Sequence, residues 1–292
     1  MTLAHYMELC KFRIGTIIAL TAVIGYMAVS ETGSVDAATV AVLALVMVLG
    51  SASSSVFNHL YDRDLDALMK RTARRPLVAA SAADRRRALA FAALLLAAGV
   101  GLAAVALNWV VAAHLFLGAF VYAIVYTVWL KRRTWWNIVV GGAAGSFAVL
   151  AGAAAVDPGI WLLPLLMAIT LFLWTPPHFW ALALLLRDDY RAAGVPMLPA
   201  LVDGRRSAVA ILANAVLLVG SAALPWILGE LGAVYGLLSL LFGLHFLHTA
   251  VALLRDPDNR ALARRTFFGS MVYLMGVFLA VLLDRHLPML WS

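Results

Sequence analysis

Residues 88–106 read ALAFAALLLAAGVGLAAVA, a run without one charged or hydrogen-bonding side chain. A helix takes about 20 apolar residues to cross a hydrocarbon core, so this run is a membrane span. Residues 207–228 and 266–283 are likewise long, uncharged and mostly apolar. Of the 292 residues, 64% are hydrophobic and 13% charged, where a soluble domain carries roughly half and a quarter. Spans that recur along the whole chain exclude a cleaved leader as the source of this apolarity. The single cysteine, Cys10, excludes an internal disulfide and a cysteine metal cluster.

Working outward from that stretch, the hydropathy predicts an all-α membrane protein. Its nine spans fall at 14–30, 36–57, 85–106, 109–129, 136–156, 160–185, 207–228, 231–253 and 265–284. The charges agree with that number. Lys and Arg fall at 11–13, 63–87, 131–133, 187–206 and 255–265, and these groups hold 21 of the 22. Nine alternating spans put all five groups on one face and leave only Arg285 for the other. The positive-inside rule then predicts a cytoplasmic N-terminus and an outer C-terminus in the inner membrane. The net charge of +7 is accordingly a property of the membrane surface, with no nucleic-acid partner implied. No linker or low-complexity stretch divides residues 1–292, which read as one domain.

Two connections on the basic face carry acids, then cations, then a proline. They are predicted as catalytic loops, about 58–84 and 186–206, over a central cavity open to the cytoplasm. The first contains NHLYDRDLDALMKRTARRP, residues 58–76. Asn58, Asp62 and Asp66 recur every fourth residue and so form one stripe along a helix end, with Asp64 turned away. Oxygen donors without Cys or His suit a hard cation such as Mg²⁺. Lys70, Arg71, Arg74 and Arg75 beside them suit a diphosphate. The second segment, LFLWTPPHFWALALLLRDDYRAAGVPMLP (171–199), offers Asp188 and Asp189 for a second Mg²⁺ and Arg191 as a cation. Lys131 and Arg132 add charge for a leaving group, and two metals on a diphosphate would let an allylic carbon–oxygen bond ionise. The competing account is a juxtamembrane loop of solvated ion pairs and topology-setting arginines.

An allylic cation needs dry surroundings and aromatic faces. Phe57, Tyr61, Tyr126, Phe172, Trp174, Phe179 and Trp180 stand near the basic ends of their spans, where an aromatic belt would also place such residues. Pro176 and Pro177 are expected to interrupt span six beside His178, the histidine placed to touch a substrate, for instance as a haem iron ligand. His114, His245 and His248 also lie in or near spans, the last two on one helical face.

The spacing of Asn58, Asp62 and Asp66 resembles the first acidic motif of the intramembrane (UbiA-type) prenyltransferases. Within that superfamily the segments NHLYDRDLDALMKRTARRPL, YTVWLKRRTWWNIVVGGAAG, TPPHFWALAL and DDYRAAGVPMLP are similar to the haem O synthase branch. The likeness runs from LCKFRIGTIIALTAV onward. It implies farnesyl transfer from farnesyl diphosphate to the vinyl group of haem B, with water supplying a hydroxyl. Asn58, Asp62, Asp66, Asp188 and Asp189 would hold Mg²⁺, and Lys70, Arg71, Arg75, Lys131, Arg132 and Arg191 the diphosphate. It also implies membrane lipid as surroundings and a link to a haem A synthase or a terminal oxidase. Two departures stand out. Phe12 occupies the place of a proline between Lys11 and Arg13, and GSFAVLAGAAAV lacks the family's Pro-Pro and Gly-Trp, implying a straighter span five. Alternatives are the same transfer to another aromatic acceptor, an acid-coupled transporter, and a non-catalytic homologue that handles haem.

Overall fold

The computed structural model of the chain describes residues 1–31 and 34–286. The C-terminal residues 287–292, expected on the outer face, lie outside the described residues. A short α1 (Leu3–Cys10) precedes α2 (Phe12–Val29), and α3 (Ala37–Tyr61) is followed by α4 (Arg63–Leu68). Next come α5 (Ala82–Ala106) and α6 (Trp109–Phe120), which runs on as a π-helix, Val121–Leu130. Span five comprises α7 (Asn137–Gly141) and α8 (Ala143–Ala154). The chain continues through α9 (Leu162–Leu185), α10 (Arg187–Ala192), α11 (Leu198–Leu201), α12 (Gly204–Ile227), α13 (Ala233–Arg255) and α14 (Arg260–His286). Among the described residues there are nine membrane-length apolar helices and no strand, so this is an integral membrane protein.

Helix ends are set by short polar side chains at the connections. Asp36 accepts from the N–H groups of Ala38 and Thr39, Ser81 from that of Asp84, and Asn108 from those of Val110 and Val111. Asp284, from the end of α14, accepts from the N–H groups of Gly232 and Tyr235 and so caps α13 from a neighbouring helix. Consecutive spans pack side by side, and α14 touches α2, which closes the helices into a ring.

The ring is drawn in by small residues, as lipid gives helices no hydrophobic reason to associate. A Cβ on Gly152 would run into the Ala22 carbonyl oxygen, and one on Gly25 into that of Val149. Spans one and five therefore meet backbone to backbone.

Three local features differ from the sequence-based expectation. Pro176 and Pro177 do not interrupt span six; α9 runs through both, and both are buried. Losing two N–H donors costs two ladder bonds, while the helix is held by its neighbours on either side. Span five is divided into two helical segments at Gly142, itself in helical conformation, where a Cβ would lie 2.9 Å from that of Thr175 on α9. The second span also runs to Tyr61, so Asn58 lies inside a helix and the bend comes at Asp62.

Candidate active site

The bend at Asp62 leaves the acidic stripe intact. The Asp62 N–H donates to the Asn58 carbonyl at 2.9 Å and the Asp66 N–H to the Asp62 carbonyl at 2.8 Å, so the four-residue ladder crosses from α3 into α4. All three side chains are buried, Asp62 completely. Asp64 turns outward and is 59% exposed.

Each buried acid is met by a cation from another part of the chain. Arg75 Nη1 donates to both carboxylate oxygens of Asp66 at 2.8 Å. Lys131 Nζ donates to Asp62 Oδ2, which also accepts from Asn58 Nδ2 at 2.6 Å. Arg132 Nη2 lies 3.7 Å from Asp62 Oδ1 and bonds Asp64 at 2.7 Å, with its guanidinium 4.8 Å from the Tyr61 ring centre. The Arg132 hydrogen bond holds the Asp64 carboxyl below its ordinary range.

Two backbone features aim these cations. The π-helix widens span four so that Thr127 donates to the Tyr122 carbonyl five residues back and stands 3.2 Å from Asn58 Nδ2 as its acceptor. The same wide turn carries through the Lys131 N–H, which donates to the Tyr126 carbonyl. Lys11, between α1 and α2, has a left-handed φ of 46° and donates from Nζ to Asn58 Oδ1 at 3.2 Å. A non-glycine residue held in that region is a mark of local constraint. Burial, then the nearby charges of Arg75 and Lys131, pull the Lys11 amine down to about 7. Lys11 is not among the site residues expected from sequence; its signal there is a cation at the head of span one.

Beneath the stripe lies a cavity of about 460 Å³, walled by α2, α3, span four, span five and α9. Lys11 stands at its basic end, and Tyr122, Tyr126, Trp174 and Phe179 give it aromatic walls. Tyr122, which the sequence reading passed over, stacks on Tyr126 with ring centres 5.6 Å apart. Residues four apart share a face of a helix, which gives the pair one direction. His178 also faces this cavity. Its ring lies between Trp174 at 4.2 Å and Phe267 at 4.6 Å, and Nδ1 is 2.8 Å from Ser270 Oγ. That contact leaves Nε2 as the nitrogen free for a ligand.

The remaining candidates are arranged differently. Lys70 and Arg71 are exposed and make no hydrogen bond among the described residues. Arg191 Nε donates to the Ala200 carbonyl at 3.1 Å and so braces its own loop. Asp188 is exposed and lines a shallow surface pocket with Pro257, Asp258 and Arg260. Asp189 is half-buried. The two loops do meet, for Leu65 and Met69 pack in one cluster with Ala193, Val195 and Met197. Among the described residues no three His, Cys, Asp or Glu side chains gather into one metal-binding group. The donor set that fits a hard cation is the stripe itself, two carboxylates and an amide oxygen, in which Asp62 Oδ1 is buried without a hydrogen bond.

The profile of the UbiA prenyltransferase family matches residues 18–272. Protoheme IX farnesyltransferase 1 of Paramagnetospirillum magneticum is 56% identical over 98% of this chain and 100% of its own length. Protoheme IX farnesyltransferase 2 of the same organism is 48% identical over 94% of each chain. Among solved structures, a digeranylgeranylglyceryl phosphate synthase superposes with a TM-score of 0.80 at 21% identity, covering 97% of this chain and 98% of its own. A UbiA homologue from Archaeoglobus fulgidus bound to GPP and Mg²⁺ gives 0.69 at 16%, covering 95% and 99%. At such identities the two structures speak for the fold alone.

Proposed function

This chain belongs to the UbiA prenyltransferase family, and from that premise we propose that it transfers a farnesyl group from farnesyl diphosphate to a vinyl group of haem B, giving haem O and pyrophosphate. The observation that carries this reading is the pairing of a buried Asn58–Asp62–Asp66 stripe with Lys11, Arg75 and Lys131 at the head of an apolar, aromatic-walled cavity that also holds His178.

Asn58, Asp62 and Asp66 would hold Mg²⁺, with Asp189 the candidate donor from the second loop. Bound there, the ion would neutralise the diphosphate and make it a better leaving group. The cations that now hold the stripe are those a diphosphate would recruit, Arg75 and Lys131 foremost on the acids, then Arg132 and Lys11 on Asn58. As the bond between the farnesyl C1 and oxygen breaks, its electron pair leaves with pyrophosphate. The haem vinyl group supplies the electrons of the new carbon–carbon bond, and water adds to the remaining vinyl carbon and loses a proton. Tyr122, Tyr126, Trp174 and Phe179 exclude bulk water and face the developing cation with their rings. No side-chain nucleophile is required.

The basic loops support a cytoplasmic active site and N-terminus, and the product would suit a haem A synthase or a terminal oxidase. Membranes holding the protein, supplied with haem B, farnesyl diphosphate and Mg²⁺, test the reaction. A haem heavier by farnesyl plus water, absent with EDTA and with Asp62→Ala, is expected. Unchanged haem B beside consumed farnesyl diphosphate would transfer the reading to another aromatic acceptor.

A further inference from the structure

Helix α13 packs between α12 and α14 and turns its remaining face outward. Leu237, Leu241 and Leu244 are more than half exposed there, as hydrocarbon would have them. His245 and His248 are exposed on the same helix. Neither makes a hydrogen bond or ion pair among the described residues. His245 lies near the middle of the span, and an imidazole left without a partner in lipid is costly.

A third polar group lies in line with them. At 100° per residue His248, Leu241 and Arg255 share one line along the helix, with His245 about 60° to its side. Arg255 is exposed at the basic end of α13 and forms no ion pair among the described residues. It stands two turns from His248, about 10 Å at 1.5 Å per residue. That distance is of the order separating the metal of a porphyrin from its propionates. The strip therefore offers an imidazole at hydrocarbon depth, leucines to either side, and a guanidinium where a carboxylate would reach the interface.

We propose that this outer face of α13 is a docking site for an iron porphyrin, with His248 (flanked by His245) ligating the iron and Arg255 pairing with a propionate. Two axial ligands must approach from opposite faces, so one imidazole binds and the other is its neighbour or substitute. The site lies outside the ring of helices, apart from the cavity that holds His178, and would collect the acceptor from the bilayer. This rests on the reading of haem as acceptor.

The test uses the full chain in lipid nanodiscs titrated with ferric haem B and followed by visible absorption. Wild-type protein is expected to show imidazole-ligated haem whose amount falls in H245L/H248L, while the fraction held by α13 is retained in H178L. R255Q should weaken that binding about tenfold, the scale of one charge-assisted pair, and should have no effect on haem dimethyl ester, whose propionates are blocked. The substituting leucines match their lipid-facing neighbours, and an unchanged melting curve would confirm that H245L/H248L folds. Equal amounts of ligated haem in wild type and H245L/H248L would overturn the proposal. So would a Leu241→Cys disulfide between two chains, because that face would then be covered by a second copy. Haem O formation in the same nanodiscs separates the two readings. Product without α13-dependent ligation removes only the docking site, whereas ligation without product removes the transfer reaction.

Discussion

The loops after spans two and six look alike in sequence and differ in the folded chain. In the first, Asp62 and Asp66 are buried and each is bound by a cation brought from elsewhere, Lys131 from the end of span four and Arg75 from nine residues on. In the second, no residue of α10 is buried, Asp188 faces a shallow pocket shared with the connection after α13, and Arg191 is spent on its own loop. The same ingredients in the same order thus make a charge-coupled site in one place and a mostly solvated turn in the other. What separates them is long-range: the first loop receives Lys11 and the Lys131–Arg132 pair from two other segments, besides its own Arg75.

That contrast is broken most directly by neutralising one acid in each loop. Asp62→Asn should lower turnover by about 10³-fold, the scale of removing one preorganised charge from a transition state. It also strands Lys131, and breaking a buried pair costs roughly 3–5 kcal/mol of stability. Asp189→Asn should cost about tenfold, as one donor to the metal among several, and Asp188→Asn should stay within about twofold, as for an exposed charge. Turnover of the three variants, corrected for folded fraction, gives the ranking. An Asp188 effect as large as that of Asp62 would mean that the second loop rearranges to join the first.

A second difference concerns metal binding. Mg²⁺ arriving alone must displace Lys131 and Arg75 and leave two cations without partners; pyrophosphate gives those cations a new one. Titration calorimetry in nanodiscs should show Mg²⁺ bound at least about tenfold tighter with pyrophosphate present, and the converse by linkage. K131A should erase part of that coupling. Equal Mg²⁺ affinities with and without pyrophosphate would show that the pairs do not govern access to the first loop.

The parts of this comparison that sequence could reach are those encoded locally. Hydropathy placed the nine spans to within a few residues because each is a continuous apolar run, and charge placed the loops on one face. The four-residue spacing gave the stripe, and the turned-away Asp64 followed from the same arithmetic. Hidden features depend on distant parts of the chain. Lys11 reaches Asn58 from 47 residues away through a left-handed φ that no propensity foretells. Thr127 meets Asn58 from a π-helix that no local pattern announces, and Pro176 and Pro177 sit inside an unbroken helix because its neighbours hold it. In the second loop the sequence shows two adjacent acids, and spacing reports which residues share a face but says nothing of what covers it.

The smallest expected effect sharpens the contrast between the arginines. Arg75→Ala removes the donor to both oxygens of a buried carboxylate and one diphosphate contact, so KM for farnesyl diphosphate should rise about tenfold or more, as for a lost charged hydrogen bond. Arg191→Ala removes one exposed hydrogen bond to the Ala200 carbonyl, worth about 1 kcal/mol at most, and should change KM by no more than about twofold. Arg75→Lys offers a finer reading. An ammonium keeps the charge but satisfies the carboxylate less rigidly than a guanidinium, so an intermediate KM is expected if Arg75 serves the acid and the diphosphate in turn. A KM for Arg191→Ala as high as that for Arg75→Ala would put the second loop's cation on the substrate, and its bond to Ala200 would then belong to the unliganded chain alone.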